Sequence, residues 1–172
     1  EFIYGVNGFP LFAESVKIGA VRLSKKFFPD FIISESPVKE CSEYVEQQIK
    51  NNSNIHTNIK LDFAIGSSGT VDTVCLIKQF QKSAEIKPRL NGYTFDKAEF
   101  DEIYLEVMSL KNPSERISVP GIEAKRADII PAGFIILKKV FEVFNIREMV
   151  LSEYALREGV VFDLISKGNR AI

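Results

Sequence analysis

Four short stretches carry residues whose types could do chemistry. The first is Gly66-Ser67-Ser68-Gly69-Thr70. It follows the apolar run Phe63-Ala64-Ile65 and precedes a helix-like pattern of Val71, Val74, Cys75, Leu76 and Ile77. Glycine lets backbone approach an anion with no Cβ in the way, and free N–H groups at a helix start favour a phosphate. Ser67, Ser68 and Thr70 add hydroxyl donors. No lysine follows the second glycine, so this is not a Walker loop. The competing reading is a tight turn with Thr70 as the helix N-cap. The second stretch, 119–133, places Arg126 and Asp128 beside a proline-glycine turn near the start of a long helix. Arginine can fork onto a phosphate with two hydrogen bonds; a surface ion pair is the alternative. The third, 152–165, sets Arg157 and Glu158 before Gly159 in a helical pattern. That pair could be a helix-terminal ion pair. A helix glycine costs about 1 kcal/mol relative to alanine and calls for a reason such as close packing. In the fourth, 15–24, Gly19 ends a strand and Arg22 lies one turn into a helix. A phosphate site and a plain strand-to-helix turn are both open there.

The elements that must position these residues follow from periodicity and punctuation. Phe2, Tyr4 and Val6 alternate, Asn7-Gly8 offers a tight turn, and a second extended run reaches Gly19. A short helix covers 20–28 and closes at Pro29. Ser36 and Pro37 suit the N-cap and first position of a second helix, with Val38, Cys41, Tyr44, Val45 and Ile49 on one face. A strand is expected over 59–66, a helix over 70–81, and a loop or small hairpin over 85–95. Asp96 caps a helix to about Leu110, with Phe100, Ile103, Leu105 and Val107 apolar. A long helix over 123–145 is expected to break at Pro131. A strand over 148–154 and a closing helix complete the chain. This order predicts an α/β layer with a mixed sheet flanked by helices, in one domain without internal repeats.

Composition narrows the function classes. The 172 residues suffice for one well-cored domain, and 45% hydrophobic with 26% charged is globular rather than disordered. A net charge of −1 gives no global pull toward nucleic acid or an anionic membrane, so any polyanion site must be local. Two cysteines, Cys41 and Cys75, suggest no disulfide framework and make a reducing cytoplasm the default. Cys75 reads as core. His56 is the only histidine, which excludes a multi-histidine metal site, and it reads as a solvated loop residue.

Taken together and in this order, "IGAVRLSKKF", "AIGSSGTV", "RADIIPAGFIILKKVFE" and "LSEYALREGVVFDLI" resemble the exopolyphosphatase and guanosine pentaphosphate phosphohydrolase (Ppx/GppA) family. That family shares the fold superfamily of actin, sugar kinases and heat-shock chaperones. The resemblance implies a ribonuclease H-like (actin-like ATPase) lobe: residues 1–172 would be the second lobe of a two-lobed, magnesium-dependent phosphohydrolase, with the first lobe outside this chain. Polyphosphate, or guanosine penta- or tetraphosphate, would lie in the cleft between lobes. Gly66, Ser67, Ser68, Gly69 and Thr70 would hold phosphate, with Arg126 and Arg22 as cationic contacts. Glu1 would be the last residue of the family's Asp-x-Gly-Gly-Gly-Ser-x-Glu loop, an acidic group near magnesium and the attacking water. Most magnesium ligands would lie outside this chain. Gly19, Asp128, Arg157 and Glu158 match family positions and would shape the fold. The resemblance further implies a cytoplasmic enzyme that pairs as a homodimer and needs neither nucleic acid nor membrane. This chain alone would be inactive, with an exposed edge beside the strand at 2–6. Two other functions stay open: a phosphotransferase like acetate or sugar kinases, and a non-catalytic module that binds an alarmone or polyphosphate.

Overall fold

The computed structural model of the chain describes residues 1–52, 61–82 and 89–168. His56 and the first residues of the expected strand over 59–66 lie outside the described residues, as do 85–88 of the expected loop.

The chain opens with an antiparallel hairpin, β1 (Phe2–Val6) and β2 (Phe9–Glu14). Asn7 and Gly8 both take positive φ, 51° and 80°, which is the backbone a type I′ hairpin turn demands. β2 stops at Glu14, short of the expected Gly19; Gly19 instead occupies the N-cap of α1 (Ala20–Phe27). The hairpin is a two-stranded sheet of its own. Phe2 ties it to the body through Phe144, ring centroids 5.4 Å apart, while Ile3 and Phe9 point outward at 71% and 73% exposure. β1 pairs with no second strand among the described residues.

α2 (Glu35–Asn52) begins before the expected Ser36-Pro37 start. The Ser36 hydroxyl donates to Glu40 within the helix rather than capping it. Cys41, Val45 and Ile49 turn one face fully inward. A second sheet is built from β3 (Ala64–Gly66), β4 (Thr94–Asp96) and β5 (Glu148–Leu151). β5 lies in the centre, parallel to β3 and antiparallel to β4. The sheet is therefore mixed, as the element order implies. β4 falls where a loop or small hairpin is expected. Its three residues carry little local signal; the pairing is set by β5, whose Leu151 exchanges backbone hydrogen bonds with Gly92 and Tyr93.

Helices close the layers. α3 (Gly69–Lys82) follows β3, and α4 (Lys97–Ser109) follows β4. Asp96 caps α4 in a capping box: its side chain accepts from the Glu99 amide, and Glu99 accepts from the Asp96 amide. Leu105, read as part of the apolar face of α4, is 67% exposed, whereas Phe100, Ile103 and Val107 are buried. The expected long helix over 123–145 is two pieces. A short α5 (Pro113–Arg116) and a 3-10 turn (Ala124–Arg126) precede α6, which runs Ile130–Val143. Pro131 does not break this helix; it lies in the first turn, where a missing N–H costs nothing. α6 touches α1, α2, α3 and α4, so it is apolar nearly all round. The last helix, α7 (Leu156–Gly168), leaves Leu156, Phe162 and Leu164 exposed.

Candidate functional site

The strand-to-helix joint is built residue by residue for different purposes. Gly66 ends β3 in a buried seat: a Cβ there would meet Met149 Sδ at 2.6 Å and Val71 Cγ2 at 2.7 Å. A glycine there lets β3, β5 and α3 pack. Ser67 donates its hydroxyl to the Tyr154 carbonyl at 3.0 Å, fastening the joint to the segment after β5. Ser68 is the residue that caps α3: its hydroxyl accepts from the Val71 amide at 3.3 Å and its carbonyl from the Asp72 amide at 3.0 Å. Thr70 is not the cap. It is turned onto α6, where a Cβ on Gly133 would meet its Oγ1 at 2.5 Å.

Gly69 faces outward, and Arg126 lies on it. A Cβ at position 69 would overlap Nη1, Nη2 and Cζ of the guanidinium. Two separate sequence motifs therefore meet at one point. The N–H groups of Gly69 and Thr70, in the first turn of α3, find no acceptor among the described residues. Arg126 Nε lies 3.3 Å from Glu123 Oε2, and Lys125 Nζ 3.2 Å from the same oxygen. Those contacts, the Lys125 hydrogen bond foremost, hold the Glu123 carboxyl below its usual range. The ion pair of Arg126 is thus with Glu123 and not with Asp128, whose charge acts on the buried Arg116 instead.

These residues line a cleft of about 670 Å³. Ser67 lines the cleft beside a wall of donors from Ser68, Gly69, Lys125 and Arg126, and Asp72, Glu123 and Glu153 supply carboxylates. Glu153 is fixed by the Leu90 amide, which donates to its Oε1 at 2.9 Å. Asp72 is half-buried, and burial pushes its carboxyl up. Glu153 and Glu123 push the same way, while Arg126 opposes them. A cleft with this lining can grip an anion at the α3 end through unpaired amides, the Ser68 hydroxyl and two cations.

Other expected site residues lie apart. Arg22 lies exposed on α1, its Nη1 3.5 Å from the Lys17 carbonyl, and does not line the cleft. Glu1 is exposed ahead of β1 and does not line it either. Arg157 and Glu158 make the helix-terminal ion pair, at 3.1 Å, and Glu158 also accepts from the Ala155 amide at 2.8 Å. Gly159 has no close packing from the described residues: none lies within 4 Å of a Cβ there. Among the described residues no three of His, Cys, Asp and Glu converge as metal ligands. No helix among them is long and apolar enough to cross a membrane. Arg116, Lys125, Asp72 and Glu153 carry no motif that marks them in the sequence. Charged side chains scattered in polar stretches give no sign of converging until the chain is folded.

The profile of the Ppx/GppA phosphatase family matches residues 1–168. The chain belongs to that family. It is 30% identical over 164 residues to a Haemophilus influenzae protein carrying the provisional name exopolyphosphatase, covering 95% of this chain and 48% of that one. A guanosine-5'-triphosphate,3'-diphosphate pyrophosphatase of Vibrio parahaemolyticus is 28% identical over 153 residues, 89% of this chain and 29% of its own length. The chain thus spans half or less of these Ppx/GppA relatives. Two solved structures share the fold: an Aquifex aeolicus Ppx/GppA family member (TM-score 0.83, 22% identity, 97% of this chain and 53% of that one) and a Cytophaga hutchinsonii exopolyphosphatase (TM-score 0.76, 21% identity, 96% and 53%). The fold expected from the resemblance, an actin-like α/β lobe with a mixed sheet, is the one observed.

Proposed function

We propose that this chain is the second lobe of a two-lobed cytoplasmic phosphohydrolase that releases terminal phosphate from inorganic polyphosphate or from a guanosine pentaphosphate. The observation that carries the proposal is the meeting of Arg126 with Gly69 at the N-terminus of α3, on the wall of a cleft. Unpaired amides, the Ser68 hydroxyl, Lys125 and Arg126 suit the binding of a chain of phosphates. The names of the relatives point to the same two substrates. Water would attack the terminal phosphorus, the bond to the bridging oxygen would break, and a carboxylate would take the proton. Glu1 does not line the cleft, so within this chain the proposal rests on phosphate binding. Magnesium, which would offset phosphoryl charge, finds no group of three ligands among the described residues. Its protein ligands would come from outside them.

The test is phosphate release by the full-length protein from long polyphosphate, guanosine pentaphosphate and ATP, with and without magnesium, in wild type and Arg126→Ala. Metal-dependent release from either of the first two, weakened about tenfold or more by the loss of a charge-assisted contact, is the expected result. Tight binding without release would make the lobe a sensor. Transfer from ATP to a small acceptor would make it a kinase.

A further inference from the structure

Arg116 has no exposed surface, and it is the largest fully buried side chain among the described residues. It lies in the stretch "NPSERISVPG", which otherwise reads as polar loop. Its guanidinium is spent on main-chain carbonyls. Nε donates to Ala127 at 2.7 Å, Nη2 to Phe31 at 2.7 Å, and Nη1 to Leu110 at 3.0 Å and Lys111 at 3.2 Å. These acceptors belong to three separate segments: the turn after α1, the end of α4, and the C-cap of the 3-10 turn. Phe31 takes a positive φ of 60°, a conformation held only where the surroundings over-determine it. Ala127 is fully buried and directly follows Arg126. Burial disfavours the Arg116 charge, and Asp128 and Glu115 offset part of that cost.

We infer that Arg116 is a positioning residue: by clamping the Ala127 carbonyl to two other segments it sets the backbone from which Arg126 reaches Gly69. The 3-10 turn is a single turn of three residues. Such a turn has little hydrogen bonding of its own, so its placement must come from outside. Arg116 supplies that support: its Nε bond holds the Ala127 carbonyl, and its other three bonds anchor the guanidinium to Phe31, Leu110 and Lys111. Lysine cannot replace it, since three donors on one point cannot span carbonyls arranged around a planar fork.

The functional part of this inference rests on the phosphate-binding reading of Arg126; the geometric part does not. The experiment therefore reads both, in the full-length protein. Arg116→Lys, Arg126→Ala and the double variant are compared for steady-state kinetics on polyphosphate, melting temperature and the rate at which phenylglyoxal modifies Arg126, followed by peptide mass. Misplacing a binding arginine should raise KM about tenfold, leave kcat within about twofold and speed Arg126 modification several-fold. The double variant should be no worse in KM than Arg126→Ala. A lower melting temperature with unchanged KM and unchanged Arg126 reactivity would overturn the inference and leave Arg116 as a fold residue only. If Arg126→Ala itself leaves KM unchanged, the phosphate reading fails, and the modification rate alone decides the role of Arg116. Should Arg116→Lys fail to fold, Arg116→Gln, which keeps a planar head but only one donor group, must speed Arg126 modification if the inference holds, and an unchanged rate in that folded variant overturns it.

Discussion

The guanidinium of Arg126 lies where a side chain at position 69 would begin. Gly69 is therefore glycine to make room for an arginine. Gly69→Ala should push the guanidinium off the α3 terminus while leaving the helix intact, because alanine is the better helix former. We expect KM for polyphosphate to rise about tenfold, as for other losses of a charge-assisted contact, with an unchanged or slightly higher melting temperature. Kinetics and a thermal melt on one preparation check this. An unchanged KM would mean that the place of Arg126 on α3 has no part in binding.

Two other glycines should respond in opposite directions. Gly121 has φ of 101°, and a Cβ there would meet the Ile77 amide nitrogen at 2.7 Å. Backbone against backbone cannot yield, so Gly121→Ala should cost about 2 kcal/mol or more. Among the described residues nothing crowds a Cβ at Gly159 in α7, and Gly159→Ala should add up to about 1 kcal/mol of helix stability. Urea unfolding midpoints for the first and helical ellipticity for the second would show whether the signs hold.

Acid should act on the joint between α3 and α4. Glu99 accepts from Lys78, Lys82 and the Asp96 amide. Burial alone would raise its carboxyl, but these bonds outweigh burial and bring it to about 2 from 4.5. The folded state thus binds this proton more weakly than the unfolded chain. The contribution of Glu99 is complete above pH 4.5 and is lost as pH falls toward about 2. Glu99→Gln should destabilise at pH 7 by on the order of 1 kcal/mol. The gap to wild type should narrow across that acid window in denaturant titrations. A constant gap would exclude the ionised carboxylate as its source.

Neither cysteine should react while the chain is folded. Burial pushes Cys41 and Cys75 up to about 12, and both have no exposed surface. The thiolate is the nucleophile, so a disulfide reagent at pH 8 should find no thiol in the native protein and both after denaturation. Rapid labelling of either would contradict the packing of α2 or α3.

Much of the fold was legible because its signals are local. The Asn7-Gly8 turn, the Asp96 cap and the apolar faces of α2 and α3 each follow from a few adjacent residues. What escaped depends on partners far along the chain. Three residues of β4 become a strand only because β5 offers an edge. Pro131 reads as a break until the 3-10 turn ahead of it shows that α6 starts there. The candidate site divides the same way. The glycine joint and Arg126 were singled out separately, but their meeting was not, and neither was the pairing of Arg126 with Glu123. Arg22 and Glu1 drew attention by position in a motif, yet the cleft is lined without them. Arg116 gave no signal because its partners are carbonyls, which every residue carries.

The parallel pairing of β3 with β5 has a kinetic consequence. The Ser67 hydroxyl and the Tyr154 carbonyl, which join the two segments on either side of the cleft, are 87 positions apart. Bringing such ends together costs loop entropy before any contact rewards it. The helical hairpins can form early from neighbours in the chain; the cleft cannot. Its two walls meet only when nearly the whole lobe has been ordered, so the site reports on completed folding. Amide protection at Ser152, whose N–H donates to the Gly66 carbonyl, should be among the last to appear in a refolding pulse.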